Sequence, residues 1–339
     1  MKATKSRTTP VTTRDIARIV GVSQPVVSKV LNGGNGNVGA SAKTCARVLK
    51  AARDLGYRSN TAARAMRTGR FGCAALLLGT HQSKSAMPMS LFHGLVDALA
   101  KHGMHLVAAK LPDAKLVATG VVPQLLTELF ADGLLINYNA KIPAALIKLI
   151  QSYRLPAVWI NSVHPVDCVY PDDQAAGRGL TEMLLGAGHR RVVFLNSDGT
   201  WHYSAAARRQ GYVEAMTAAG VAPDVVEIHN RSTDEERHAL VKALLDRAPR
   251  PLAVVCYTPR VCELLCGKAA ARGWAMPSDL AVATFSADPF VWRDQSIPTM
   301  LLPEREIGAA AVAMLLKKIA KPDEAQPPQA VPCRLEGWT

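Results

Sequence analysis

Apolar residues recur at helical spacing near the start of the chain. Four of them between Ile16 and Val20 fall at i, i+3 and i+4, and Thr12 stands where a helix N-cap is expected. Gly21 interrupts this pattern after about two turns. The pattern therefore predicts a short amphipathic helix that ends in a tight turn.

A second helix is predicted directly after that turn. Ser23 is placed to cap it, and Pro25 falls in its first turn, where a missing N–H costs nothing. The buried side is predicted to be Val26, Val27, Val30 and Leu31, with Gln24, Ser28 and Lys29 outside. A helix, a glycine turn and a second helix are typical of a helix-turn-helix, whose second helix reaches base edges with its N-terminal residues.

A third helix is predicted from Ala42 to Leu55, capped by Ser41 and ended by Gly56. Its predicted inner face is Val48, Leu49, Ala52 and Leu55. The preceding loop contains Gly34-x-Gly36-x-x-Gly39, which matches the dinucleotide-binding fingerprint by letter. That fingerprint requires a preceding strand, whereas a basic helix precedes it here, so a flexible connection is the better interpretation.

From Phe71 onward, short apolar runs alternate with helix-length segments. The predicted strands are Cys73 to Leu78, His105 to Ala109, Leu134 to Ile136, Ala157 to Ile160, Arg191 to Leu195, Val225 to Ile228, Leu252 to Cys256 and Leu280 to Phe285. Repeated β-α units favour a doubly wound parallel sheet, and this number of units predicts two such sheets. The fold class is therefore an all-α head followed by a two-lobed α/β body.

Positive charge is concentrated at one end of the chain. The whole sequence has a formal charge of +13, and the segment from Met1 to Arg70 holds 14 Lys and Arg against 2 acids. A basic block on a near-neutral body indicates a nucleic-acid-binding module. A solvated surface or a disordered tail would also be basic, but a tail would lack the apolar periodicity seen here.

The remaining composition indicates a soluble cytoplasmic protein. Seven cysteines are scattered without metal-ligand spacing, so free thiols are expected, with Cys262 and Cys266 open to the alternative of a redox pair. Every apolar run is too short to cross a membrane, and no apolar segment follows the basic N-terminus. We expect no membrane span, no metal, no cofactor and no catalytic residues.

Three motifs between Met1 and Arg70 carry a family resemblance. They are DIA…GVS…VSKVLNG from Asp15, SAKT…V…A…LGY from Ser41, and N-x-AAR-x-M-x-x-G from Asn60. Together they resemble the lactose/galactose repressor family. The body has matching landmarks in Ala131-Asp132-Gly133-Leu134, in the GHRRVVFL run from Gly188, and in Arg208 three residues before Gly211-Tyr212.

The resemblance implies three segments. They are a helix-turn-helix head at 1–59, a hinge helix at 60–70, and an effector-binding and dimerisation body at 71–339 that is like a periplasmic binding protein. We place the first lobe at about 71–165 plus 302–325. The second lobe is placed at about 166–300 plus 326–339.

The predicted partner of the head is double-stranded operator DNA. Gln24, Pro25 and Lys29 are expected to read bases in the major groove, while Thr12, Ser23 and Ser28 are better placed to bond phosphates. The hinge is expected to enter the minor groove with Arg64 along it and Met66 wedged between base steps. Asn32 completes the predicted contact set.

A small effector is expected in the cleft between the lobes, at the carboxyl ends of the strands. The predicted lining residues are Asn161, Arg208, Arg231, Thr258 and Ser286. The carboxylates that the family usually places at strand ends are missing here, whereas Arg208 is retained and Arg231 stands where the family often has an aromatic or polar residue. This combination favours an anionic or less hydroxylated ligand. A lobe–lobe ion pair is the alternative role for Arg208, and a chain without any small effector also stays open.

The favoured function is a homodimeric transcriptional regulator that acts as a repressor. An activator uses the same head, so sequence does not separate the two. No Leu-heptad segment ends the chain, which favours a dimer over a tetramer. A cytosolic Rossmann-like enzyme lacks support because no P-loop or nucleophile–base–acid set is present. A solute-binding protein is disfavoured by the basic head and by the missing export signal.

Overall fold

The computed structural model describes residues 11–31, 40–58, 69–81, 84–116, 121–128, 131–140, 142–198, 202–228 and 233–337. The chain divides into two compact units, Met1–Phe71 and Gly72–Thr339. Among the described residues, no helix combines the length and the apolar character that a membrane crossing requires.

The first unit is a three-helix head. Its helices are α1 (Thr13–Val20), α2 (Gln24–Leu31) and α3 (Ala42–Asp54). Buried residues of all three form one small core: Ile16, Ala17, Val20, Val27, Val48 and Ala52. The prediction that Ile19 and Leu49 belong to this core is wrong, because Ile19 is 55% exposed and Leu49 is 46% exposed. Each lies on the flank of its helix, outside the one small core that the described residues of the head form.

The second unit contains two six-stranded sheets. The strands of the first sheet run in the order β13-β5-β4-β3-β1-β2 and are all parallel. They are β1 (Cys73–Gly79), β2 (His105–Leu111), β3 (Gly133–Asn137), β4 (Ala157–Ile160), β5 (Cys168–Pro171) and β13 (Gln329–Val331). Strand β3 is buried along its whole length, as expected for a strand covered on both faces.

The second sheet has the order β14-β12-β9-β8-β6-β7, with only β14 antiparallel to its neighbour. Its strands are β6 (Val192–Asn196), β7 (Asp224–Glu227), β8 (Leu252–Cys256), β9 (Leu280–Ser286), β12 (Thr299–Leu301) and β14 (Arg334–Glu336). Strands β10 (Phe290–Trp292) and β11 (Gln295–Ile297) form a separate antiparallel hairpin.

Helices cover the faces of both sheets. They are α4 (Met89–Lys101), α5 (Asp113–Leu116), α6 (Val121–Glu128), α7 (Ala144–Ser152), α8 (Asp173–Gly186), α9 (Tyr203–Ala218), α10 (Asp234–Arg247), α11 (Pro259–Ala270) and α12 (Glu304–Ala320). Helix α12 packs on α4 and on the first sheet, and α8 packs on α9 and on the second sheet. The chain thus passes between the lobes three times, after β5, after β12 and after β13.

All eight strands predicted from the sequence are present within a residue or two of the predicted bounds. The predicted lobe boundaries are wrong at two places. Strands β5 and β13 belong to the first sheet, whereas boundaries near 166 and 326 assigned both to the second lobe. These strands pair mainly with each other and with β4, a long-range pairing that local periodicity does not encode.

Candidate functional site

The turn of the head is stabilised at both ends of α1. The Asp15 backbone N–H donates to Thr12 Oγ1 at 3.4 Å, and the Thr12 N–H donates to Asp15 Oδ2 at 3.0 Å, which together form a capping box. Gly21 ends the helix with a φ of 71°, a left-handed conformation that glycine adopts without strain. The Ser23 carbonyl then accepts the first hydrogen bonds of α2.

One face of α2 is buried and the opposite face is exposed. Val27 is fully buried, whereas Gln24, Pro25 and Lys29 are exposed and Ser28 is half-buried. Gln24 and Ser28 lie one helical turn apart, and so do Pro25 and Lys29. The four side chains therefore share one face of α2. Thr12 and Ser23 are exposed beside them.

The Gln24 side chain is held by α1. Its Oε1 accepts from Arg14 Nε at 3.2 Å, and its Nε2 donates to Thr13 Oγ1 at 3.0 Å. A primary amide has two acceptor and two donor positions, so one lone pair and one N–H are left by these bonds. That remaining pair has the donor–acceptor pattern that matches adenine in the major groove.

Four predicted site residues lie outside the described residues: Asn32, Arg64, Met66 and Arg231. The Gly34–Gly39 loop lies outside them as well.

A cavity of about 190 Å³ lies between the two lobes of the body. Its lining contains Ala86, Pro88, Leu91, Asn161, Pro171, Asp173, His202, Ser204, Arg208, Tyr257, Leu302, Glu304 and Ile307. Of the predicted effector residues, Asn161 and Arg208 belong to this lining and Thr258 and Ser286 do not. Thr258 instead donates to Asp198 Oδ2 at 2.5 Å, and Ser286 Oγ accepts from the Asp288 N–H at 3.3 Å.

Close packing of α8 on α9 brings Asp173 and Arg208 together. Gly211 has no room for a Cβ, because one would overlap the Gln174 carbonyl, and a Cβ at Gly177 would overlap the Arg208 carbonyl. Glycine at both positions therefore lets the two helix backbones touch. The sequence landmark of Arg208 followed by Gly211 reflects this packing.

Arg208 is buried and ion-paired. Its Nε donates to Asp173 Oδ1 at 2.8 Å, its Nη1 donates to the Tyr257 carbonyl at 3.1 Å, and its guanidinium lies 4.3 Å from the Phe285 ring centre. Only 7% of the Arg208 side chain and 1% of the Asp173 side chain are exposed. This is an ion pair within the second lobe, whereas the alternative weighed from the sequence was a pair between lobes.

Two titratable groups in the cavity have strongly shifted pKa values. Burial, with a smaller contribution from Arg208, lowers the pKa of His202 to about 4. His202 is also the N-cap of α9, where its Nδ1 accepts from the Ser204 N–H at 3.3 Å. Burial and the nearby Asp288 raise the pKa of Glu304 to about 7, against a lowering effect of Arg208. Near neutral pH, His202 is therefore neutral and Glu304 is half-ionised.

Tyr203 connects the lobes at the edge of this cavity. Its hydroxyl donates to Asn161 Oδ1 at 3.5 Å, and its ring meets the Tyr170 ring edge-on at 6.3 Å. Asn161 and Tyr170 belong to the first lobe, whereas Tyr203 begins α9 of the second. Any opening of the lobes has to separate these side chains.

Sequence patterns did not single out Asp173, His202, Tyr257 and Glu304 as cavity residues. The signal that could have found these residues is their position, directly after a predicted strand or at the start of a helix. Among the described residues, no three His, Cys, Asp or Glu side chains are arranged to hold a metal ion.

Comparison with known families resolves the identity of both units. Residues 12–60 match the family described as bacterial regulatory proteins, lacI family, and residues 181–336 match the periplasmic binding protein-like domain. The head thus carries a lacI-family DNA-binding domain and the body a periplasmic-binding-protein-like domain, which are the two parts of a DNA-binding regulator of transcription.

Curated members of the family align over most of the chain. The maltose regulon regulatory protein MalI of Escherichia coli (strain K12) is 26% identical, over 96% of this chain and 97% of its own. The ribose operon repressor of Haemophilus influenzae is 28% identical, over 92% of this chain and 93% of its own. The regulator AglR of Rhizobium meliloti is 29% identical, over 73% and 69%.

Solved structures show the same fold. The lac repressor dimer bound to operator and the anti-inducer ONPF superposes with a TM-score of 0.77 at 20% identity, over 96% of this chain and 98% of that one. The regulator CelR in complex with cellobiose superposes with a TM-score of 0.61 at 22% identity, over 96% of this chain and 98% of that one. The predicted lacI-type architecture is thereby confirmed.

Proposed function

We propose that this chain is a homodimeric, sequence-specific repressor of the lacI family that acts in the cytoplasm under the control of a small effector in the interlobe cavity. The observation that carries the DNA-binding part is the exposed face of α2 in a strongly basic head. The relatives include a ribose operon repressor and a lac repressor bound to operator, which supports repression over activation.

In this proposal α2 lies in the major groove. Gln24 pairs with an adenine through its remaining lone pair and N–H, Lys29 donates to guanine acceptors, and Pro25 contacts a thymine methyl. Thr12, Ser23 and Ser28 bond phosphates and position the head without reading sequence. Asn32, Arg64 and Met66 stay predictions, with Met66 as the wedge of a minor-groove hinge at 60–70.

The Lys29→Ala variant tests base reading against a matched control. The operator is first selected from random duplexes, and binding is then measured on that operator and on single-base variants. We expect Lys29→Ala to cost about 1 to 3 kcal/mol and to relax preference at one position of each half-site. Lys50→Ala is the control, because Lys50 is also an exposed lysine of the head but lies on α3.

Salt dependence tests the basic head as a whole. Because several phosphates are neutralised by each subunit, operator affinity should fall by roughly 10³-fold or more between about 50 and 200 mM salt. Affinity that does not change over this range, or Lys29→Ala and Lys50→Ala variants that are indistinguishable on all sequences, would contradict the proposal.

The effector part is carried by the interlobe cavity and by the Tyr203–Asn161 bond across it. A ligand bound there contacts both lobes, so it can change their relative angle if its affinity differs between two arrangements. The regulator CelR, whose solved structure is a complex with cellobiose, supports a small-molecule effector for this chain. The side chains that line the cavity limit which class of ligand fits this chain.

A further inference from the structure

The side chains of Thr13, Arg14 and Gln24 form a small cluster where the first turns of α1 and α2 meet. Thr13 is the first residue of α1 and Gln24 is the first residue of α2. Arg14 Nε donates to Gln24 Oε1 at 3.2 Å, and Gln24 Nε2 donates to Thr13 Oγ1 at 3.0 Å. The amide at the start of α2 is therefore bonded to α1 through both its oxygen and its nitrogen.

Arg14 determines which way the Gln24 amide points. A guanidinium has N–H donors and no acceptor, so only the oxygen of the amide can face it. The Thr13 hydroxyl can accept or donate, so Thr13 alone would tolerate the amide in either direction. If the amide turned over, its NH₂ group would meet the Arg14 N–H, and two opposed donors would replace a hydrogen bond. Arg14 thus fixes the acceptor and the donor that Gln24 offers at the exposed face of α2.

Arg14 keeps its charge and most of its N–H groups available. Its bond to Gln24 uses the Nε–H, which leaves the N–H groups of Nη1 and Nη2. Among the described residues, no carboxylate pairs with Arg14, whereas Arg18, one turn further along α1, pairs with Asp15 at 3.1 Å. Both arginines are exposed. The charge of Arg14 is therefore available to a phosphate, and that of Arg18 is partly neutralised.

The position of Arg14 between the two helices suits a contact with the DNA backbone. In a helix-turn-helix, the first helix crosses the backbone while the N-terminal residues of the second helix reach base edges. Arg14 lies on the first helix, and its hydrogen bond crosses to the first residue of the second. A guanidinium binds a phosphate through two parallel N–H groups, and Nη1 and Nη2 remain for that contact. One side chain can thus bind a phosphate and hold a base-reading amide at the same time.

We propose that Arg14 is a specificity-determining residue of the head, which fixes the direction of the Gln24 amide and binds a backbone phosphate through Nη1 and Nη2. The inference rests on the proposed function, since it concerns the same DNA-binding face. Arg14 acts on the base through Gln24 and is a positioning residue there, whereas its own contact is with the backbone. Loss of Arg14 should therefore change base preference, which the loss of a phosphate contact alone does not do.

The base preference of the full-length protein separates positioning from charge. The parent protein selects its operator from random duplexes, and the base pair read by Gln24 is the one at which Gln24→Ala loses preference. On duplexes that carry each base at that position, Arg14→Ala should lose discrimination by about fivefold or more. Arg18→Ala is the matched control, because it removes an exposed arginine of the same helix that bonds Asp15 instead of Gln24. Its base preference should equal that of the parent.

A double variant shows whether Arg14 and Gln24 act together. If Arg14 acts on the base through Gln24, the combined variant Arg14→Ala and Gln24→Ala should discriminate no worse than Gln24→Ala alone. Thermal unfolding curves verify that the variants are folded, which the exposure of all three substituted side chains favours.

The Arg14→Lys variant separates the phosphate contact from the control of the amide. Lysine keeps the charge but lacks the planar guanidinium and its Nε–H donor. We expect Arg14→Lys to keep the salt dependence of the parent and to lose discrimination as Arg14→Ala does. Arg14→Ala itself should lower the slope of log affinity against log salt by about one for each half-site.

Several results would overturn the inference. They are an Arg14→Ala variant that keeps the base preference or the salt slope of the parent, an Arg18→Ala variant that loses preference equally, an Arg14→Lys variant with full discrimination, a double variant that discriminates worse than Gln24→Ala, and a Gln24→Ala variant that keeps preference at every position. Failure of the proposed function looks different, because the parent protein would then select no sequence from the random duplexes.

Discussion

The head and the interlobe cavity both depend on charged side chains, but they hold them in opposite environments. In the head, Arg18 and Lys50 have about three quarters of their side chains exposed, and their acidic partners are exposed or only partly covered. In the body, Arg208 and Asp173 are almost completely buried against each other. Charge in the head is thus available to a polyanion, whereas charge in the cavity is already neutralised.

This difference shows why a count of charged residues predicts the DNA-binding function of the head but misjudges the charge of the interlobe cavity. Exposed positive charges add up in their effect on DNA, so a total for the segment from Met1 to Arg70 is informative. Buried charges act through specific partners, and the partner of Arg208 lies 35 residues earlier on another helix. Variants of the two regions test this contrast, and the largest effect is expected from the ion pairs themselves.

Removal of one acid from each type of ion pair gives the largest difference. Asp173→Ala leaves Arg208 buried without its counter-charge, so we expect a loss of about 3 to 5 kcal/mol in the free energy of unfolding. Asp54→Ala removes an exposed i,i+4 partner of Lys50 and should cause no measurable change. Chemical denaturation of both variants measures the two values. Comparable losses would mean that burial is not what separates the two environments.

The close packing of α8 on α9, which brings Asp173 and Arg208 together, is tested by adding one methyl group. Gly211→Ala forces α8 and α9 apart because its Cβ would overlap the Gln174 carbonyl, and we expect a loss of about 2 to 3 kcal/mol. Gly267→Ala on α11 meets open space and should stabilise the protein by about 0.5 to 1 kcal/mol. Thermal unfolding compares the two. A tolerated Gly211→Ala would show that the Asp173–Arg208 contact does not depend on this close approach.

Glu304 and His202, which both line the cavity, are expected to change the free energy of unfolding with pH in opposite directions. The pKa of Glu304 is raised from 4.5 to about 7, so its contribution to stability is complete below about pH 4.5 and is lost as the pH rises through 7. The pKa of His202 is lowered from 6.5 to about 4, so its contribution is complete above about pH 6.5 and is lost as the pH falls through 4. Between these limits the two partly cancel.

Single variants separate the two contributions. Glu304→Gln should be more stable than the parent by about 1 to 2 kcal/mol at pH 8 and equal to it at pH 4.5, once solvent screening is allowed for. His202→Asn keeps a capping side chain and should lessen the loss of stability in acid. Stability is followed by denaturant unfolding across this range. A parallel pH profile in parent and variant would show that the residue does not titrate in this window.

The sequence by itself determined the head and the strand pattern of the body. Thr12, Gly21 and Ser23 set helix ends through neighbours a few residues away, and a fully buried strand such as β3 is apolar along its whole length apart from its final Asn137. These are local signals, so they are readable without a structure. The exposed face of α2 follows from the same periodicity.

Only the tertiary structure decided the chemistry of the cavity and the limits of the lobes. Asp173 and Arg208 lie on two helices that glycines allow to pack closely, and Glu304 joins them in the cavity lining from a third helix because the chain passes three times between the lobes. Strands β5 and β13 join the first sheet through a pairing between distant parts of the chain, such as Val169 with Gln329. Burial, partner and pKa are properties of such long-range contacts, and local sequence patterns do not encode them.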